Sequence, residues 1–158
     1  MNRFLVTPAG YEKLVAELKH AKEVERPQIV RDIEEARAHG DISENSEFED
    51  AKERQAHCEG RIAMLENNFA SAEVIDVTKL PATDRVVFGT TVDIVNVDTD
   101  EERTWKIVGE NEADVENGLI SYKSPIGGAL IGKSEGDEVE VRTPGGKQVW
   151  CVDEVHYK

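Results

Sequence analysis

An acidic stretch, Gly40–Asp50, separates two long segments that have the periodicity of amphipathic helices. Apolar side chains recur three or four residues apart on both sides of it, which is the spacing of one helical face. Both apolar stripes are narrow, so each segment can bury only one seam, and the pattern predicts a two-stranded antiparallel coiled coil. The acidic stretch is therefore predicted to be the turn of a helical hairpin.

The first helix is predicted to begin at Thr7-Pro8 and to end near His39. Threonine is a favourable N-cap, and proline at the next position costs no hydrogen bond. From Leu18 to Ile29 the stripe advances by eleven residues, a stutter in the heptad pattern that contains Pro27, so we expect the helix to bend or loosen there and then continue. Gly40 is placed to be the left-handed residue that ends the helix. The stripe comprises Tyr11, Leu14, Leu18, Ala21, Ile29, Ile33 and Ala36.

The return helix is predicted to begin near Asn45 or Ser46. Ser46 and Glu49 have the spacing of a capping box, in which the two side chains satisfy free main-chain N–H groups at the start of a helix. The apolar stripe then alternates steps of four and three residues. It comprises Ala51, Gln55, Cys58, Ile62, Leu65, Phe69 and Ala72.

The acidic stretch contains the carboxylates of Asp41, Glu44, Glu47, Glu49 and Asp50. Helix capping and the positive end of the helix dipole explain the last three. They do not explain Asp41, which follows the end of the preceding helix, where negative charge is disfavoured. These two effects explain Glu44 only in part. Asp41 and Glu44 are therefore the candidate functional acids.

Two basic residues, Arg37 and Lys52, are predicted to lie within a few turns of the tip. Each has an acid three residues away, Glu34 for Arg37 and Glu49 for Lys52. Surface ion pairing is therefore the simpler interpretation. The alternative is contact with a phosphate chain when the tip is engaged.

After Glu73 the pattern changes from helical to strand-like. We expect a hairpin from residue 1 to residue 75 and a small α+β domain of mostly antiparallel strands from residue 76 to residue 158. Ser124-Pro125 predicts the start of a short helix that ends at Gly132. The strand-rich part shows no catalytic constellation, since His156 has no nucleophile near it. The hairpin histidines His20, His39 and His57 are spaced too irregularly to predict a metal site.

Charge and composition restrict the class of protein. The net charge of −14 argues against a free-standing nucleic-acid binder, which normally carries a basic surface. Cys58 and Cys151 have no CxxC partner, so both are expected to be free thiols in a reducing compartment. No apolar run approaches membrane-spanning length, and the first residues lack the pattern of a signal peptide. We expect a cytoplasmic protein.

Several motifs, in order along nearly the whole chain, resemble the bacterial Gre transcript-cleavage factors. The run Glu35–Phe48, EARAHGDISENSEF, is similar to the tip signature of that family. The segments Cys58–Ile62, Ser124–Ile126, Leu130–Lys133 and Thr143–Gly146 resemble the same family. The resemblance implies a coiled-coil hairpin followed by a domain similar to FKBP folds.

The resemblance also implies a function and a partner. The second domain would dock at the rim of the RNA polymerase secondary channel while the hairpin reaches inward. Asp41 and Glu44 occupy the positions of the acids that help hold the second catalytic Mg²⁺ of the polymerase, which is shared and not held stably by the factor alone. The chain would then be a monomeric accessory factor, not an enzyme, that stimulates cleavage of the nascent RNA 3′ end and rescues arrested complexes. With the tip engaged, the candidate contacts to RNA are Arg37 and Lys52, through phosphates, and Phe48, through stacking on a base.

Two residues depart from the family pattern. Phe48 stands where many members have tyrosine, so a hydroxyl is lost while stacking on a base is retained. Gly128 stands where many members have arginine, which bears on the docking of the second domain.

Two alternative functions remain open on the sequence. Paralogues with the same shape bind the secondary channel without stimulating cleavage, but the presence of Asp41 and Glu44 favours the cleavage factor. A prolyl isomerase is suggested by fold analogy alone. Its pocket would have to be built from the few aromatic residues of the second domain. These are Phe88, Trp105, Tyr122, Trp150 and Tyr157.

Overall fold

The structure is a computed structural model that describes residues 4–38 and 46–158. The chain forms two compact units. The hairpin unit is built mainly from Glu12–Ala72, and the sheet unit combines Leu5–Tyr11 with Glu73–Lys158. The predicted α+β class, with an N-terminal helical hairpin and a mostly antiparallel sheet, is confirmed.

The first arm of the hairpin begins where the sequence predicts. Helix α1 spans Pro8–His20 and helix α2 spans Arg26–Ala38. The hydroxyl of Thr7 accepts a hydrogen bond from the N–H of Gly10 at 3.1 Å, as expected of an N-cap. The predicted cap at Gly40 lies outside the described residues.

The expected irregularity near Pro27 is confirmed as a π-helical segment, Ala21–Glu25, between α1 and α2. The N–H of Arg26 bonds to the carbonyl oxygen of Ala21, five residues back, instead of four. A π turn absorbs additional residues within a helix. It therefore accommodates the eleven-residue step of the apolar stripe, and Pro27 follows in the first turn of α2, where its missing N–H is tolerated.

The return arm is helix α3, Ser46–Ser71, and it packs against the first arm along the predicted seam. The buried seam comprises Ala21, Ile29, Ile33, Ala51, Cys58 and Ile62, with Leu18 and Phe48 packed against it. The predicted stripe ends earlier than expected. The side chain of Phe69 is 42% exposed, and Ala72 begins a strand instead of continuing the helix.

The strands of the described residues form a two-stranded and a five-stranded sheet. Strand β1 (Phe4–Val6) neighbours β2 (Ala72–Val74) in the first. The second has the order β5-β4-β3-β7-β6, and its neighbours are antiparallel except for β4 and β5. Its strands are β3 (Thr91–Asn96), β4 (Glu102–Val108), β5 (Leu119–Ser121), β6 (Glu138–Thr143) and β7 (Gly146–His156).

The core of the sheet unit lies on one face of this sheet. It is lined by Val92, Ile94, Ile107, Ile120, Val139 and Val152, together with Trp150 and Leu130. Leu130 comes from helix α4, Pro125–Leu130, whose N-cap Ser124 accepts a hydrogen bond from the N–H of Gly127 at 3.1 Å. The predicted start of this helix is confirmed. Among the helices of residues 4–38 and 46–158, none is long and apolar enough to cross a membrane.

Candidate functional site

The candidate acids Asp41 and Glu44 lie in the connection between α2 and α3, outside the described residues. Helix α2 ends at Ala38 and α3 begins at Ser46, so the structure defines the two ends from which the connection departs. The assignment of Asp41 and Glu44 as functional acids stays a prediction.

Ion pairs between the two arms hold the hairpin in register. Nearest the tip, Arg54 Nη1 lies 3.0 Å from Asp32 Oδ2. This bond, with a second one from Gln28, holds the pKa of Asp32 below its ordinary value. Farther along the arms lie the pairs Arg61–Glu25 at 3.2 Å, Arg26–Glu59 at 2.7 Å and Lys22–Glu66 at 2.7 Å. Each exposed pair contributes little alone, but together they oppose sliding of one helix along the other.

The described end of the hairpin carries an acidic groove. It is lined by Asp32, Glu35, Ala36, Glu47, Asp50 and Arg54. Four of these six residues are acids, and only Arg54 is basic. The groove therefore has a negative local potential, which favours the approach of cations.

The structure brings together two of the three residues expected to contact RNA. The Arg37 guanidinium lies over the Phe48 ring, with 5.9 Å from Cζ to the ring centroid, within the range of a cation–π contact. Phe48 also packs against the hairpin core, so its ring contributes to the packing of the two arms. Lys52 is on the exposed surface of α3, where its ammonium donates to Gln55 Oε1 at 3.2 Å.

The sheet unit presents a mostly apolar groove lined by Leu5, Arg85, Val86, Val87, Phe88, Tyr122, Ile131 and Gly132. The rings of Phe88 and Tyr122 meet edge to face, with their centroids 5.5 Å apart. Trp150, by contrast, is buried in the core. The aromatic residues considered for an isomerase pocket are thus divided between groove and core, which gives no support to that alternative.

Gly128, the position at which the family resemblance predicts arginine, is exposed on α4. A Cβ atom built there would lie 3.5 Å from the carbonyl oxygen of Tyr122, an ordinary van der Waals contact. The backbone at this position therefore leaves room for a longer side chain.

Comparison with known proteins identifies the family. Residues 4–74 match a family described as "Transcription elongation factor, N-terminal", and residues 81–157 match "Transcription elongation factor, GreA/GreB, C-term". The chain is 54% identical over 158 residues to transcription elongation factor GreA of Hyphomonas neptunium, covering 100% of both chains. It is 52% identical over 157 residues to transcription elongation factor GreA of Ruegeria pomeroyi, covering 99% of each chain.

Among solved structures, GreA factor homologue 1 of Thermus thermophilus is 28% identical, with a TM-score of 0.44 and coverage of 98% of this chain and 99% of the other. The assignment to the Gre factors, and to the GreA type within them, rests on the two domain matches and on the full-length identities. The chain therefore belongs to the GreA/GreB family of transcription elongation factors.

Proposed function

We propose that the chain binds RNA polymerase through the secondary channel and stimulates cleavage of the 3′ end of backtracked nascent RNA, which rescues arrested complexes. One observation carries this proposal: the full-length similarity to GreA proteins coincides with a helical hairpin whose arms flank an acidic connection. In this proposal the reaction takes place in the polymerase active centre, in the cytoplasm. The chain is then an accessory factor and not an enzyme.

Asp41 and Glu44 contribute carboxylate oxygens, in trans, to a Mg²⁺ ion in the polymerase active centre. This donor set suits Mg²⁺, which takes hard oxygen ligands and keeps several waters, but two exposed acids alone would hold it weakly. When bound, Mg²⁺ activates water for attack on the RNA phosphodiester. The chain supplies negative charge in this role, and the acidic groove at the described end of the hairpin supports it.

The hairpin is suited to carry these acids into a channel. Helix α3 has 26 residues, which corresponds to about 39 Å at 1.5 Å per residue. The buried seam and the interhelical ion pairs keep the two arms in register. A rod of this kind loses little conformational entropy on insertion, so binding energy is not spent on ordering it.

The sheet unit supplies most of the affinity for polymerase in this proposal. Its groove exposes apolar surface, including Ile131, which is 36% exposed, and such surface favours protein contacts. Arg37 and Lys52 lie on the exposed surface near the tip and can contact RNA phosphates once the hairpin is inserted. Phe48 could stack on a base only by giving up part of its packing against the hairpin core.

The test is a cleavage assay with a backtracked elongation complex at limiting Mg²⁺. Asp41→Asn and Glu44→Gln retain side-chain size and remove a charged ligand, so we expect cleavage to fall by at least about tenfold. Added Mg²⁺ should restore part of the rate, and binding to polymerase should be unchanged. Glu49→Gln, an exposed acid on α3, is the matched control and should cleave like the wild type.

Two outcomes would contradict the proposal. If Asp41→Asn cleaves like the wild type at limiting Mg²⁺, carboxylate delivery is wrong. If the wild-type chain binds polymerase and represses it without any cleavage, the alternative of a channel-binding regulator is correct.

A further inference from the structure

Three side chains that the proposed function does not use meet on the face of the five-stranded sheet opposite its core. His156 Nε2 lies 2.9 Å from Asp93 Oδ2 and 3.5 Å from Glu154 Oε2. One ligand atom from each residue falls within 4.8 Å of the other two. The cluster thus combines an imidazole nitrogen with two carboxylates, and the imidazole distinguishes it from an ordinary group of surface acids.

The strand register builds this cluster. Strands β3 and β7 are antiparallel, with Thr91 opposite His156 and Asp93 opposite Glu154. Side chains two residues apart share a face of a strand, so Glu154 and His156 both project beside Asp93. A register shift between Asp93 and Ile94 keeps the core side chains inward on either side of it.

A third strand orients the aspartate. Thr104 on β4 stands opposite Asp93, and its hydroxyl donates to Asp93 Oδ1 at 2.6 Å. The other oxygen, Oδ2, is the one that faces His156. An outer hydrogen bond that fixes a carboxylate in this way is typical of metal ligands.

We propose that Asp93, Glu154 and His156 form a binding site for a transition-metal cation of the Zn²⁺ class, separate from the Mg²⁺ role of the tip. Zn²⁺ bonds to histidine nitrogen and carboxylate oxygen at about 2.0–2.2 Å, so tetrahedral ligand atoms lie about 3.4 Å apart. The two distances from His156 Nε2, 2.9 and 3.5 Å, are close to that spacing. Imidazole selects Zn²⁺, Ni²⁺ or Cu²⁺ over Mg²⁺.

The bound cation would tie β7 to β3. Strand β3 is the central strand of the five-stranded sheet, and β7 is its neighbour. One ligand comes from β3 and two come from β7. Because the cation binds only the folded arrangement, it stabilises the sheet unit by mass action. The simpler alternative is a cross-strand ion pair between His156 and Asp93 that binds no metal. The positive charge of Lys158 also acts on Asp93 and opposes a cation there.

The experiment is calorimetric titration of the full chain with Zn²⁺ and, separately, with Mg²⁺ in chelator-treated buffer. We expect one Zn²⁺ site that Mg²⁺ does not fill. Affinity should fall by about 10–100-fold or more in His156→Ala and Asp93→Asn, and by about tenfold in Thr104→Val, which removes only the orienting bond. Lys158→Gln should bind more tightly than the wild type. Melting curves of each variant without metal will verify folding.

Two controls separate this site from other donors. His57→Ala removes an exposed histidine of the hairpin, and Cys151→Ser removes a thiol from β7, opposite Val95. Both should bind Zn²⁺ like the wild type. In the wild-type chain, which has four histidines, long-range ¹H–¹⁵N spectra should show a Zn²⁺-dependent shift of the His156 Nε2 resonance.

The proposal is wrong if the wild type takes up no Zn²⁺, if His156→Ala and Asp93→Asn bind it unchanged, or if the His156 resonances do not respond. None of these outcomes bears on the polymerase function, since no step of the titration involves polymerase.

Discussion

Glu112 accepts hydrogen bonds from both the main-chain N–H and the hydroxyl of Thr7, the residue that caps α1. The N–H bond to Oε2 measures 3.1 Å, and the same oxygen accepts from the N–H of Gly109 at 2.9 Å. All of these residues belong to the sheet unit. Glu112 therefore stabilises the start of α1 in addition to the Thr7 cap, because a carboxylate at a helix N-terminus also interacts favourably with the helix dipole.

The first prediction concerns this contact. Glu112→Gln should destabilise the protein by about 2 kcal/mol, because the amide loses a charge and turns hydrogen-bond donors toward N–H groups. Thr7→Ala should cost about 1 kcal/mol through loss of the cap. Urea unfolding of the double variant should show a total below the sum of the two, since they act on one network. Strict additivity would contradict the network.

Gly10 provides a further check on the same contact. A Cβ atom there would lie 2.1 Å from Glu112 Cδ, so Gly10→Ala must displace the carboxylate. In a Glu112→Ala background the clash is removed, and Gly10→Ala should become neutral or stabilising. Alanine is more favourable than glycine in a helix by about 1 kcal/mol. If Gly10→Ala is equally harmful in both backgrounds, the clash lies elsewhere.

The second prediction compares two neighbouring glycines of α4. A Cβ atom on Gly127 would lie 2.2 Å from the carbonyl oxygen of Ser121, whereas one on Gly128 would meet only an atom at 3.5 Å. Gly127→Ala should therefore destabilise by about 1–3 kcal/mol through overpacking. Gly128→Ala should stabilise by up to about 1 kcal/mol. The melting temperatures of the two variants provide the measurement. Equal melting temperatures would contradict the close packing of Gly127 against Ser121.

The same glycine allows a test of docking. Gly128→Arg fits the backbone as Gly128→Ala does, and it restores the residue that the family resemblance predicts at this position. Because a guanidinium adds a bidentate donor, we expect tighter binding to polymerase than Gly128→Ala gives. A competition assay for polymerase measures the difference. Equal binding of the two variants would show that this face of α4 does not contact the partner.

The third prediction concerns pH. The bond from Arg54 holds the pKa of Asp32 below its ordinary value. A carboxyl whose pKa is depressed on folding stabilises the protein above its unfolded pKa, about 3.9, and loses that contribution as pH falls through the folded value. Asp32→Asn should thus be less stable than the wild type at pH 7, and the difference should shrink once the pH falls below the unfolded pKa of about 3.9. Urea midpoints at the two pH values provide the measurement, and a gap that widens in acid would contradict it.

The two arms, the change to a strand-rich part after Glu73 and the start of α4 could be predicted from the sequence because each depends on local periodicity or on capping residues. The irregularity of the first arm, which the structure shows as a π-helical segment, is likewise predicted by the local spacing of apolar residues. Contacts between residues far apart in the sequence could not be predicted: Thr7 and Glu112 are 105 residues apart, and Asp93 and His156 are 63 apart. In its local sequence His156 has only Glu154, two residues away, and the pairing of β3 with β7 adds Asp93. Asp41 and Glu44 stand out in the sequence because helix capping does not fully explain them. This argument suggests a functional role for the two acids, but it does not give their geometry.

The last prediction concerns the seam on which the rod depends. The side chain of Ile62 is 3% exposed and packs in the same core as Ala21 and Ile29. Ile62→Asp should cost about 4 kcal/mol or more, because it removes buried apolar surface and places a carboxylate among apolar side chains. Met64→Asp is the matched control, since that side chain lies on the same helix and is 53% exposed. Far-ultraviolet circular dichroism should show loss of helix for the first variant and none for the second. Unchanged helicity and melting in Ile62→Asp would mean that the two arms do not depend on this seam, and the rod required by the proposed function would need another source of rigidity.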